Sequence, residues 1–100
     1  MTQVYVLRLD NGKWYVGHSD NVTKRIKQHF SNRGASWTKL HKPLEVFCIV
    51  PGGKERENEM TLNFMSMYGR DNVRGGGYAY VKLLPTHPKP SKILEYIPTS

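Results

Sequence analysis

Residues 4–29 constrain this chain more than any other stretch, because two short β-type runs, a tight turn and a basic amphipathic segment follow one another without a gap. Residues 4–9 and 13–17 are dense in β-branched and aromatic side chains, which favours strands at so short a length. Asp10-Asn11-Gly12 between them is a strong hairpin signal. The length of the loop decides what the hairpin presents, since alternate side chains point to opposite faces and a one-residue slip inverts them. A two-residue Asn11-Gly12 loop pairs Leu9 with Trp14 and puts Tyr5 and Tyr15 on opposite faces. A three-residue loop, with Gly12 in the left-handed region, pairs Leu9 with Lys13 and Leu7 with Tyr15. The two tyrosines then share a face, with Gly17 opposite Tyr5, and this register is expected if they work together.

Ser19 or Asp20 is placed to cap a helix running to about Phe30, with Val22, Ile26, His29 and Phe30 as its inward stripe. Arg25 and His29 are four apart and therefore neighbours, while Lys24 and Lys27 point to solvent. Residues 31–42 are polar, basic and broken by Gly34, and read as a loop with one turn of helix that lies along a phosphate backbone. Pro43-Leu44-Glu45 leads into residues 46–50, a continuous apolar run of the kind expected for a central strand, ended by Pro51-Gly52-Gly53. A second helix is expected over 54–68, stopping at Gly69, with Met60, Phe64 and Met67 at helical period and Leu62 and Met65 widening the buried arc. Its methionines suit core filling better than an adaptable groove. Residues 70–78 read as a loop with three consecutive glycines and with Arg74 as a phosphate contact, followed by a short alternating run suited to an edge strand. The prolines after Leu84 give an extended tail, of which 92–97 docks back as a short helix or strand.

A chain of 100 residues is one domain near the lower size limit for a self-sufficient core. The architecture expected is α+β: a small three-stranded mixed or antiparallel sheet flanked by helices in ββα-β-α order, with a short extra C-terminal strand or tail. The domain covers 1–83 and a proline-containing extension covers 84–100. Fifteen Lys and Arg against eight Asp and Glu give a formal charge of +7, which attracts polyanions and points to nucleic acid as readily as to a merely soluble basic surface. A single cysteine, Cys48, lies in an apolar run and excludes a disulfide framework or a thiolate metal cluster. No window approaches membrane-spanning length, so an intracellular protein of cytoplasm or nucleus, with no membrane partner, is the default. The histidines at 18, 29, 41 and 87 lack close ligand spacing, and no H-E-x-x-H, G-x-S-x-G or cysteine–histidine pattern occurs.

What remains is a set of phosphate-oriented groups, Tyr5, Tyr15, Arg25 and His29, placed by one ββα unit. Singly, each has an ordinary structural reading: packing for the tyrosines, a solvated charge for the arginine, a part-buried core residue for the histidine. Together they resemble the GIY-YIG nuclease domain. Its first motif matches imperfectly as Gln3-Val4-Tyr5, with Gln3 where the family has glycine, and its second matches well as Tyr15-Val16-Gly17, nine residues separating the tyrosines. The family's arginine falls ten residues after the second tyrosine, at Arg25, and its His or Tyr four residues later, at His29. The likeness continues through Gly34-Ala35-Ser36-Trp37-Thr38 and the strand after Pro43.

The resemblance implies a glutamate on a later helix that binds one divalent cation, Mg²⁺ or Mn²⁺. Of Glu55, Glu57 and Glu59, Glu57 lies on the stripe of Met60, Thr61 and Phe64 and is the choice, with Glu59 the alternative. It further implies one-step hydrolysis of a DNA phosphodiester in a repair or recombination setting. Tyr5 activates water, Tyr15 and His29 position it and relay protons, and Arg25 stabilises phosphoryl charge. A free tyrosine titrates near ~10, so Tyr5 requires help from positive charge. Lys24, Lys27, Arg33, Lys39 and Arg74 are the expected DNA contacts. Selection of a target falls to the 31–42 and 70–78 loops, to a targeting partner or to a homodimer, unless cutting is unselective. The competing readings are a catalytically silent nucleic-acid-binding module of the same fold, and a protein-interaction domain using the methionine-rich helix.

Overall fold

The computed structural model describes residues 1–76, in the order β1 (Gln3–Leu9), β2 (Trp14–Ser19), α1 (Val22–Phe30), α2 (Ser36–Leu40), β3 (Pro43–Pro51), α3 (Lys54–Tyr68) and β4 (Val73–Gly75). The 83/84 boundary, the alternating run after the glycines and the 84–100 extension with its 92–97 segment lie outside the described residues. The ββα-β-α order is borne out, and the extra strand completes a four-stranded sheet ordered β3-β1-β2-β4. That strand comes from Val73-Arg74-Gly75, within the segment expected to be a loop, and it runs parallel to β2.

The hairpin takes the three-residue form. The Leu9 N–H donates to the Lys13 carbonyl at 2.8 Å, and both Asn11 (φ 62°) and Gly12 (φ 72°) are left-handed. Asparagine and glycine tolerate that region better than other residues, which is why this pair can close the turn. The register follows: Leu7 faces Tyr15 and Tyr5 faces Gly17.

β1 rather than β3 is central. Val4 and Val6 pack with Trp14, Val16, Met60, Phe64 and Met65 under α3, while Tyr5, Leu7 and Leu9 pack with Tyr15 and Trp37 under α1 and α2. Burial on both faces accounts for the unbroken apolar run of β1. β3 is an edge strand of the described sheet, and its Val46, Phe47 and Ile49 remain partly exposed. Two apolar strands look alike in sequence, and their order is decided by the hairpin, which claims one side of β1 and leaves β3 the other.

The helix ends depart from expectation in small ways with plain causes. Asn21, not Ser19 or Asp20, caps α1, its side chain accepting from the Lys24 N–H at 3.2 Å, while Ser19 Oγ accepts from the Asn21 N–H. Asn21→Ala is expected to cost about 1 kcal/mol of stability in urea denaturation. α3 stops where expected: Gly69 has φ 100°, and its N–H donates to the Met65 carbonyl at 2.8 Å. Met67 is half exposed rather than inward, because Tyr68 stacks on Trp14 (centroids 4.6 Å apart, 22° between planes) and Phe64 fills the rest of that surface. Phe30 is likewise 43% exposed instead of completing the inward stripe of α1. Among the described residues no helix is long and apolar enough to cross a membrane.

Candidate active site

Tyr5 and Tyr15 share a face, their ring centroids 6.3 Å apart, and His29 lies against both at 5.5 and 4.9 Å. The packing that brings them together depends on a missing side chain. A Cβ on Gly17 would stand 2.4 Å from the Tyr5 hydroxyl oxygen, so the ring can lie across its strand partner only because that partner is glycine.

The Tyr5 hydroxyl is 2.7 Å from His29 Nε2, and His29 Nδ1 is 2.9 Å from Thr38 Oγ1. Thr38 Oγ1 is also 3.0 Å from the Ala35 carbonyl, an acceptor with no proton of its own. The threonine proton therefore goes to Ala35, the Nδ1–H donates to Thr38, and Nε2 is left as the acceptor of the Tyr5 O–H. The Ala35 N–H, 3.5 Å from Nδ1, is too distant to compete. Gly34 permits the approach, since a Cβ there would lie 2.0 Å from Nδ1. The result is a directed chain, Tyr5 to His29 to Thr38 to Ala35, fully buried at its histidine.

Burial, reinforced by the nearby Arg25 charge, lowers His29 from 6.5 to about 4, so the imidazole is neutral and free to accept a proton at neutral pH. Above pH 6.5 neither folded nor unfolded chain protonates this group, and below it the unfolded chain gains a proton that the folded one refuses. Stability is thus intact above 6.5 and declines as pH falls to about 4, by up to about 3 kcal/mol. Urea titrations at pH 7 and 4.5 are expected to show this loss in the wild type and a smaller one in His29→Gln.

Burial also raises both phenols. For Tyr5 the next contribution is the neighbouring Tyr15, and for Tyr15 it is the Glu57 charge; Arg25 opposes the shift in each case. The expected help from positive charge is present and is outweighed by desolvation. Tyr5 is therefore held as a neutral hydroxyl rather than a standing phenolate. Arg25 is held part-buried, its Nη1 donating to Gln28 Oε1 at 2.8 Å one turn along α1.

Glu57 is buried on the sheet side of α3 with Met60, Thr61 and Phe64, whereas Glu59 is exposed. α3 covers the face opposite the tyrosines, yet the Glu57 charge acts on both phenols. β4 pairs with β2 only as far as Gly75, opposite Val16, so among the described residues the outer edge of Gly17–Ser19 is an open gap, while β1 pairs their inner edge. His18 stands at that gap, its Nδ1 3.0 Å from Glu57 Oε1. Among the described residues no group of three or more His, Cys, Asp or Glu converges. A single carboxylate, oriented by an imidazole, fits a hard cation that keeps most of its waters.

Lys24, Lys27, Arg33 and Lys39 are all exposed, as a phosphate-binding surface requires. Arg74 is placed otherwise. It is 2% exposed, lies 4.4 Å over the Trp37 ring, and donates through Nη1 to the Arg70 and Val73 carbonyls. This side chain anchors β4 on the tyrosine face instead of reaching solvent, and its identity as the partner of Tyr15 in the β2–β4 ladder explains why. Sequence reasoning missed Thr38 and His18. Thr38 is at helical spacing from Ala35 in a segment too short to show a period, and His18 carried a visible hint in its place directly after Tyr15-Val16-Gly17.

The GIY-YIG catalytic domain family matches residues 1–62. The UPF0213 protein BH0048 of Halalkalibacterium halodurans is 40% identical over 89 residues, 83% of this chain and 95% of its own length. UPF0213 protein YazA of Bacillus subtilis is 32% identical over 53 residues, 53% of this chain and 54% of its own, so this chain spans about half of that relative. A UPF0213 protein of Autographa californica nuclear polyhedrosis virus is 56% identical over 32 residues, 32% of this chain and 31% of its own. No solved structure matches. With a match across residues 1–62, and with the paired tyrosines, arginine, histidine and buried glutamate on one folded unit, this chain belongs to the GIY-YIG family.

Proposed function

We propose that this chain is a metal-dependent endonuclease that hydrolyses DNA phosphodiester bonds through a Tyr5–His29 proton relay. The observation that carries the reading is the 2.7 Å contact between the Tyr5 hydroxyl and the unprotonated Nε2 of a neutral, buried histidine. A water attacking phosphorus gives its proton to the Tyr5 oxygen while the Tyr5 proton passes to His29 Nε2. The new P–O bond forms as the bond to the leaving sugar oxygen breaks, and that oxygen is reprotonated from solvent. Arg25 binds the phosphoryl oxygens, for which its planar fork is suited, and holds Tyr15 in the same cluster. The bound phosphate also offsets the Arg25 charge that depresses His29, so substrate makes the base stronger when it is needed. Glu57, with His18 Nδ1 3.0 Å behind it, would hold a divalent cation, Mg²⁺ or Mn²⁺, which would supply Lewis-acid polarisation of the phosphate and offset charge on the leaving oxygen. Lys24, Lys27, Arg33 and Lys39 supply salt-sensitive contacts to the DNA backbone.

The test is incubation with supercoiled plasmid, branched duplex and single strands, in Mg²⁺, in Mn²⁺ and in chelator. Nicked or linear product that requires the metal, and that disappears in Arg25→Ala and Glu57→Gln, supports the reading. Salt-sensitive binding without product in either metal assigns the chain to the catalytically silent module instead.

A further inference from the structure

Behind the relay, on the far side of His29 from Tyr5, lies a cavity of about 280 Å³ that the mechanism does not use. Its lining includes His29 and Thr38, both fully buried, and Phe30, Asn32, Lys39 and Lys42 nearer the mouth. Three features set its chemistry. Two lysines line it and, among the described residues, no carboxylate does, so it favours an anion. Phe30 comes from the helical stripe that elsewhere turns into the core, yet it is 43% exposed and borders this opening. The wall beyond it is fixed by a left-handed Asn32 (φ 63°), whose N–H donates to the His29 carbonyl at 3.2 Å and turns the chain back over the helix end. An aromatic face beside two cations matches a planar ring carrying a phosphate. The volume falls just short of the roughly 300 Å³ at which clefts for drug-sized ligands begin, which suits one nucleotide and not a duplex.

We infer that this cavity receives one unpaired nucleotide of the DNA substrate, its base stacked on Phe30 and its phosphate between Lys39 and Lys42. The inference rests on the nuclease reading and narrows it to DNA that carries unpaired nucleotides, such as bulges, flaps and strand junctions. A paired base must first leave its stack to enter, at an energetic cost that an unpaired one avoids, and this difference is the source of selectivity. The occupant touches His29 and Thr38, the proton-holding end of the relay, so filling the cavity also fixes the imidazole that Tyr5 addresses.

The experiment measures binding by fluorescence anisotropy in chelator, which separates recognition from cleavage. The probes are a 20-base-pair duplex, the same duplex with a single-nucleotide bulge, and both in competition with millimolar deoxynucleoside monophosphate. The expected result is about tenfold tighter binding of the bulged duplex, lost in Phe30→Ala and restored in Phe30→Tyr, with affinity for the perfect duplex unchanged by either. Circular dichroism melts confirm folding, which the exposure of Phe30 should preserve. Equal affinity for the two duplexes, or a preference that survives Phe30→Ala, overturns the inference. Displacement of both duplexes alike by the monophosphate also overturns it, by assigning the cavity to a free nucleotide. If the bulge preference holds and no metal yields product, the nuclease reading fails while this one stands. If perfect and bulged duplexes are bound and cut alike, the nuclease reading stands alone.

Discussion

Tyr5→Phe is expected to lower the metal-dependent cleavage rate by about 10²–10⁴-fold, the usual range for loss of a positioned acid–base group, with DNA affinity in chelator unchanged. The substitution removes one oxygen and keeps the ring that packs between Leu7, Tyr15 and Trp37. It leaves His29 Nε2 without the donor now at 2.7 Å, which adds a stability cost of roughly 1–3 kcal/mol, readable in a thermal melt. Single-turnover cleavage under saturating protein isolates the chemical step. A Tyr5→Phe chain that cuts at the wild-type rate would remove Tyr5 from the proton path and leave His29 to act on water directly.

Gly17→Ala should be nearly as damaging, although it adds only a methyl group. The new carbon would lie 2.4 Å from the Tyr5 oxygen and 2.5 Å from its Cζ, so the ring has to move by about an ångström. Displacement on that scale costs roughly 10²-fold in a positioned reaction, and overpacking a buried site costs a further 1–3 kcal/mol of stability. Gly34→Ala presses on the other end of the relay, with its Cβ 2.0 Å from His29 Nδ1, and is expected to behave alike. Cleavage rate and melting temperature measured together separate the two effects. Gly17→Ala with wild-type cleavage would show that the Tyr5–His29 contact is dispensable.

Much of this arrangement was legible in the sequence because it is local. The Asp10-Asn11-Gly12 turn fixes the hairpin register, and the register alone puts Tyr5 and Tyr15 on one face and Gly17 beneath Tyr5. The helical offset of four joins Arg25 to His29, and the same periodicity ranks Glu57 above Glu59. What was not legible depends on encounters between distant segments. Nothing in the apolar run of β3 says that it sits at the edge, since its neighbours are chosen by the whole chain. Arg74 looks like a surface cation until β4 pairs with β2 and lays it over Trp37. Phe30 fits an inward stripe by spacing and is turned toward solvent by the end of its helix. The proton direction of His29 needs Thr38 and Ala35 together, nine and six residues away on another element.

β1 carries Tyr5 on one face and the valines that seat α3 on the other, with a strand paired along each of its edges. Amide hydrogen exchange at Tyr5 and Val6 should therefore proceed only through global opening, at the slowest rates in the chain. The Tyr5 hydroxyl on which the proposed relay depends is built into the last part of the molecule to come apart. For the proposed nuclease, thermal inactivation and unfolding are then expected to be a single event, and partial loosening of the outer strands leaves Tyr5 in place.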